Sequence, residues 1–269
     1  MPEKIVLLYG DESHSHEVVT YAFVIVPAQK LESVELAFEN VKKRHGLRAE
    51  VRVHCRGIFN LHARNKTEFK SFSSEDLFRF LKELMTESFL AGARGWVGYL
   101  DSRNVPDILL FKSKARQGID KWDVRDLKNR MFFCYQAASG PLTHIFPPSQ
   151  VKAFVDGDKT KIPHFDKRRQ VDSLRSFFPV EHNNAKFFPH VMHGNKPLIL
   201  DLADVLAYAA ARGLSNTFSS DKGAFVSIVE AIDPGYSEVI FEAPVGGAVF
   251  KVRAYDPEDR VKSYVRQFL

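Results

Sequence analysis

Ile5-Val6-Leu7-Leu8-Tyr9-Gly10-Asp11-Glu12-Ser13 is followed, after a short polar break, by Val18-Val19-Thr20-Tyr21-Ala22-Phe23-Val24-Ile25-Val26. Together these stretches decide the fold. The first opens as a continuous apolar run, the pattern of a strand covered on both faces. The second is rich in β-branched and aromatic residues and stops at Pro27, as a second strand would. On a strand, Ile5, Leu7, Tyr9 and Asp11 share one face, so a carboxylate extends an otherwise apolar stripe. The competing explanation is a turn, since Gly10-Asp11 is ordinary turn chemistry.

Outward from this pair, Lys30 to Arg44 carries Leu31, Val34, Ala37 and Val41 at helical spacing, and Val51 to Cys55 alternates like a short third strand. Ser73-Ser74-Glu75-Asp76 supplies helix-capping residues before Leu77, Phe80, Leu81, Leu84 and Phe89. Trp96 to Leu100 reads as a strand, Asp101 to Asp126 as a charged surface insertion and Leu127 to Ala138 as a helix. Val151 to Val155 is a strand ending at Asp156-Gly157-Asp158. A basic helical stretch follows from about Phe165 to Phe178, and Phe187 to Met192 suggests a short strand. Leu198 to Leu214 is almost uniformly apolar, so it predicts a buried helix. Near the end, Glu238 to Phe241 and Ala248 to Ala254 flank Gly246-Gly247 as a hairpin, with Pro244 making the first strand an edge or ending it early. Antiparallel strands followed by alternating strands and helices predict a mixed α/β layer fold.

The chain has 269 residues, 45% hydrophobic and 26% charged, which excludes a disordered polymer. It has no apolar run near the roughly 18 residues a bilayer crossing needs, so no membrane association is expected. The first apolar run is also too short for a secretory core, and Cys55 and Cys134 are isolated. A cytoplasmic protein is expected. The formal charge of +5 suits a polyanionic partner without requiring one.

Acidic residues stand where strands end and inside the apolar helix. Asp156 and Asp158 close a strand, with a turn around Gly157 as the plain alternative. Asp201 and Asp204 interrupt Leu198-Ile199-Leu200 and Leu202-Ala203 within the apolar helix, on neighbouring positions of one face. A buried carboxylate costs several kcal/mol unless compensated. Carboxylates from a first strand, a later strand and a late helix suit a hard divalent cation, Mg²⁺ or Mn²⁺. Two such ions would activate water and stabilise a leaving oxygen in phosphodiester cleavage.

Tyr9-Gly10-Asp11-Glu12-Ser13 resembles the Y-x-D-E-S opening of a prokaryotic domain family of unknown function, thought to have a ribonuclease-H-like fold. Val155-Asp156 is similar to that family's second acidic strand, and Asn195-Lys196-Pro197 through Asp204 to its final helix, which commonly reads Q-x-A-D. His54 resembles the family's E-x-H position. The resemblance runs over residues 4 to 212 and implies a ribonuclease-H-like mixed sheet flanked by helices in residues 1–216, with 217–269 as a C-terminal extension packed on the same domain. It implies Asp11, Asp156 and Asp204 as metal-binding carboxylates, with Glu12 adjacent. Asp201 stands where the family usually has Gln and is a possible further ligand; Arg56-Gly57 follows His54 where an acidic residue is frequent, so His54 is accessory at most.

Lys167, Arg168 and Arg175, after the Asp156 strand, would meet phosphates of RNA or DNA. The plain alternative for them is a solvated helix face. His14-x-His16 and His190-x-x-His193 lack zinc-site spacing, and G-x-S-x-G, G-x-G-x-x-G and Walker motifs are absent. Two functions follow as expectations: a divalent-metal-dependent nuclease, or a non-catalytic nucleic-acid-binding or signalling module on the same fold.

Overall fold

A computed structural model of the chain describes residues 5–112, 119–146, 150–156, 190–192, 194–216, 220–242, 249–255 and 263. The predicted opening pair forms β1 (Val6–His14) and β2 (Val18–Pro27), antiparallel and in continuous register from Val6 opposite Pro27 to His14 opposite Val19. Helix α1 (Leu31–Arg44) follows, then two short helices α2 (Cys55–Phe59) and α3 (Leu61–Arg64). Helix α4 (Ser74–Ala91) starts where the capping residues predict. The Ser73 hydroxyl accepts the Asp76 N–H and the Asp76 carboxylate accepts the Ser73 N–H, while Gly92 turns left-handed at the far end with φ 117°.

Strand β3 (Arg94–Asp101) lies antiparallel to β2. The predicted charged insertion contains a hairpin, β4 (Ile108–Lys112) with β5 (Ile119–Asp123), separate from the main sheet. Helix α5 (Leu127–Ile145) outruns its predicted end at Ala138, continuing through Pro141 to bury Leu142. Strands β6 (Val151–Asp156) and β7 (His190–Met192), helices α6 (Leu200–Leu214) and α7 (Lys222–Glu230), and strands β8 (Gly235–Glu242) and β9 (Val249–Tyr255) complete the order.

The main sheet has seven strands in the order β7-β6-β1-β2-β3-β8-β9. β1, β2 and β3 form an antiparallel meander; β6 joins β1 in parallel, and β7 joins β6 in parallel. On the other side, β8 pairs parallel with β3 and antiparallel with β9. The C-terminal segment thus extends the same sheet, and β8, expected as an edge or cut short, is an inner strand that stops before Pro244.

Both faces are covered, as the continuous apolar runs require. Val6, Leu8, Tyr21, Phe23 and Trp96 pack against Phe132, Phe133 and Ala137 of α5. Leu7, Tyr9, Ala22, Val24 and Val97 face Ala203, Leu206 and Ala207 of α6, with α1 and α4 completing that layer. Gly98 allows α5 to approach β3 backbone to backbone, because a Cβ there would stand 2.3 Å from the Cys134 carbonyl. Among the described residues, no helix is long and apolar enough to cross a membrane.

Candidate functional site

Alternation along β1 and β6 decides where the strand-end carboxylates go. Val6 and Leu8 share the α5 side with Ala153 and Val155. Leu7, Tyr9 and Phe154 share the opposite side, where the Tyr9 and Phe154 rings stack at 5.4 Å. Asp11 and Asp156 therefore continue the Tyr9–Phe154 stripe on the α6 side. The parallel register ends with Gly10 opposite Val155. Asp11 and Asp156 are the next pair, on adjacent strands about 4.8 Å apart. Both are buried, at 1% and 4% exposure. The Asp11 Oδ1 accepts the Glu12 N–H at 2.9 Å, and the Asp156 Oδ1 accepts from Lys196 Nζ at 2.7 Å. Asp11 is inside the strand rather than in a turn, since β1 runs on to His14.

Glu12 stands opposite Tyr21 on β2, on the α5 side. The Tyr21 hydroxyl is fully buried, edge-on to Tyr135, and has no hydrogen-bond partner among the described residues. Its ionisation is pushed far up, first by burial, then by the negative charge of Glu12, with Tyr135, Asp11 and Asp156 adding to it.

The helix carboxylates have a different setting. Asp201 Oδ1 receives the Arg52 guanidinium at 2.9 and 2.5 Å, and its Oδ2 accepts the Val53 N–H at 2.7 Å. Asp204 Oδ2 accepts the Cys55 N–H at 2.6 Å, and its Oδ1 lies 3.2 Å from the His54 Nδ1. Burial still pushes the Asp201 carboxyl upward, against Arg52, the Val53 N–H and Lys42. These bonds correct one expectation: Val51 to Cys55 is no strand. Val51 and Val53 are buried, but the Val53 and Cys55 N–H groups go to two aspartates instead of a strand ladder, and helix α2 starts at Cys55. The i, i+3 spacing on α6 matches the every-second-residue N–H groups of an extended segment.

Cations surround this end of the sheet. Arg52 also donates to the Lys196 carbonyl at 2.8 Å, tying the loop before α6 to the 52–55 segment. Arg212, two turns after Asp204, lies flat on the Tyr208 ring at 3.2 Å and donates to the Tyr208 carbonyl at 3.3 Å. The His14 imidazole is held below its ordinary range, first by desolvation, then by Arg56, Arg212, Arg130 and His16. His190 stacks on Phe154. Lys167, Arg168, Arg175 and Asp158 lie outside the described residues.

Of the sequence-predicted residues, Asp11 and Asp156 lie on the α6 side of neighbouring strands β1 and β6, Glu12 lies on the opposite, α5 side, and His54 meets Asp204 on α6. Asp201 is turned to Arg52. Sequence reasoning passed over Lys196, Arg52, Arg212 and Tyr21. Arg212 alone carried a signal, its helical repeat from Asp204 through Tyr208. Among the described residues, no group of three or more His, Cys, Asp or Glu side chains is gathered to hold a metal ion unaided. No family model, no curated protein and no solved structure matches the chain.

Proposed function

We propose that this protein is a divalent-metal-dependent phosphodiesterase acting on nucleic acid, built on a ribonuclease-H-like sheet. The carrying observation is the burial of Asp11 within β1 and of Asp156 at the end of its parallel neighbour β6, on the face that α6 covers. The strand order supports the fold reading: an antiparallel meander of three, with two parallel strands added beside the first, is the ribonuclease-H-like arrangement. Ligands of open α/β sheets also gather beyond the carboxyl ends of the strands.

The residues suit Mg²⁺ or Mn²⁺. Asp156 already accepts a cation in Lys196, and two carboxylates together with substrate phosphate and water make an ordinary magnesium environment. When bound, the ion would supply an activated water and charge neutralisation at phosphorus. The chain's own residues then have distinct parts. Asp11 and Asp156 would hold the ion, and Glu12, on the opposite face of the sheet, stays outside the ligand set. Asp204, bound to the Cys55 N–H and beside the His54 imidazole, fixes the 54–55 segment. Asp201, with both oxygens engaged, positions the 52–55 segment, so we leave it out of the ligand set. Lys196 holds Asp156 in place and would move to substrate phosphate when an ion takes the carboxylate.

The non-catalytic nucleic-acid-binding module is the second reading, favoured by that same Lys196–Asp156 ion pair, which satisfies the carboxylate without metal. Labelled single- and double-stranded RNA and DNA, incubated with the protein in Mg²⁺, Mn²⁺ or EDTA, separate the two. The proposal expects cleavage of at least one substrate that EDTA and Asp11→Asn both abolish. Cleavage that survives both would remove the metal reading, and nucleic-acid binding without cleavage in any metal would favour the module.

A further inference from the structure

The tip of β1 is met by arginines from three helices. The turn between β1 and β2 is fixed: Ser15 N–H donates to the Val18 carbonyl at 2.8 Å, and Glu17 Oε2 accepts the Asn216 N–H at 3.0 Å and the Ser215 hydroxyl at 3.4 Å. Glu17 therefore ties the turn to the end of α6, whose last turn carries Arg212. Arg130 of α5 donates to the Ser102 hydroxyl at 2.7 Å, and the Ser102 N–H donates to the Glu17 carbonyl at 2.7 Å. Arg56 stands in the first turn of α2, beside Cys55, whose N–H Asp204 holds.

Arg56 is exposed and makes no ion pair among the described residues, and Arg130 has only neutral oxygens as acceptors there. Arg212 is half-buried against Tyr208, and desolvation lowers its tendency to hold charge. Hydrogen bonds through Ser102 and Glu17 bring Arg130 of α5 and the Arg212 end of α6 to the same turn, and Asp204 ties the start of α2, with Arg56, to α6, so an anion at the tip of β1 would meet positive charge from three helices. Guanidinium forks match phosphate oxygens in geometry.

We propose that Arg56, Arg130 and Arg212 form a phosphate-binding rim at the tip of β1 that holds the backbone of a nucleic acid strand. His14 ends β1, three strand residues beyond Asp11, about 10 Å along the strand. That separation suits neighbouring phosphates of a polymer better than one phosphate, so the rim selects a chain over a mononucleotide. In this it deepens the phosphodiesterase reading and rests on it for the identity of the polyanion. Arg212 on Tyr208 also presents a flat cationic surface on which an unstacked base can lie.

The test is fluorescence anisotropy of labelled single-stranded RNA, single-stranded DNA and duplex DNA, in EDTA, across a salt series, with orthophosphate as a separate competitor. Arg56→Gln, Arg130→Gln and Arg212→Gln are each expected to weaken binding about fivefold near 0.1 M salt. The slope of log K against log salt should fall by about 0.7 per lost contact on single strands and 0.9 on duplex. Arg48→Gln, whose guanidinium pairs with Glu50 and Glu68, should match wild type. Arg56 is exposed and makes no ion pair among the described residues, so its variant reports on binding even where Arg212→Gln disturbs packing. Wild-type affinity and slope in Arg56→Gln and Arg130→Gln would overturn the proposal, as would wild-type protein that binds orthophosphate but no oligonucleotide. Arginine-dependent binding without metal-dependent cleavage would keep the rim while removing the phosphodiesterase reading; cleavage with arginine-independent binding would do the reverse.

Discussion

Two pairs of buried aspartates stand at the same end of the sheet, and they are buried for different reasons. Asp201 and Asp204 on α6 each accept a backbone N–H from a segment about 150 residues earlier, and each adds a side chain of that segment, Arg52 or His54. Their charge fixes chain geometry. Asp11 on β1 accepts the N–H of the next residue, Glu12, and Asp156 on β6 accepts from a lysine ammonium. A carboxylate that ties two parts of a fold together is costly to remove. One that accepts a movable cation is available for chemistry. The contrast teaches that burial of an acid inside an apolar element does not by itself announce function.

The comparison breaks first at Asp201. Asp201→Ala strands the Val53 N–H and the Arg52 guanidinium, so we expect a loss of about 3 kcal/mol, read as a fall in Tm of roughly 5–10 °C by calorimetry. Asp11→Asn should instead lower metal-dependent cleavage by at least about a hundredfold, some 2.7 kcal/mol of barrier, while its Tm stays near wild type. A large Tm loss in Asp11→Asn would place it with the helix pair. Asp204→Asn comes next. The amide oxygen can serve only one of the Cys55 N–H and His54 donors, so a loss of about 1–2 kcal/mol in chemical denaturation is expected. A more stable Asp204→Asn would show that the charge there is under strain rather than structural.

The smallest effect belongs to Lys42, a buried ammonium that donates to the Ala49 carbonyl at 2.8 Å and feels the Asp201 charge. Desolvation lowers it from 10.5 to about 8, with Asp201 opposing. Between those values the unfolded chain keeps a proton that the folded chain has lost, so stability rises with pH across that window. Relative to Lys42→Met, wild type should gain ~0.8 kcal/mol from pH 7 to 8.5, measured by urea titration. A flat difference would show that Lys42 stays charged.

The sheet was legible because its strands are apolar on both faces and bounded by turn residues, and α4 because Ser73 and Asp76 form a capping box. The 51–55 segment was misread for a physical reason. Val51 and Val53 alternate like a strand, but the Val53 and Cys55 N–H groups are taken by aspartates far along the chain, which a local pattern does not encode. Helix α7 carries no local signal that was read, and of the two outcomes expected from Pro244 the strand β8 takes the early end rather than the edge, because β9 pairs along its other side. For the site, alternation along β1 was enough to put Asp11 on the stripe of Leu7 and Tyr9. That Asp201 faces Arg52 was hidden, because helical spacing gives a face and not a partner.

The most direct measurement is a crystal structure of the protein soaked in Mn²⁺, with the ion located by its anomalous scattering. The account predicts manganese bound by oxygens of both Asp11 and Asp156 at roughly 2.0–2.6 Å, with Lys196 displaced from Asp156. Manganese absent from that position, with Lys196 still on Asp156, would contradict it.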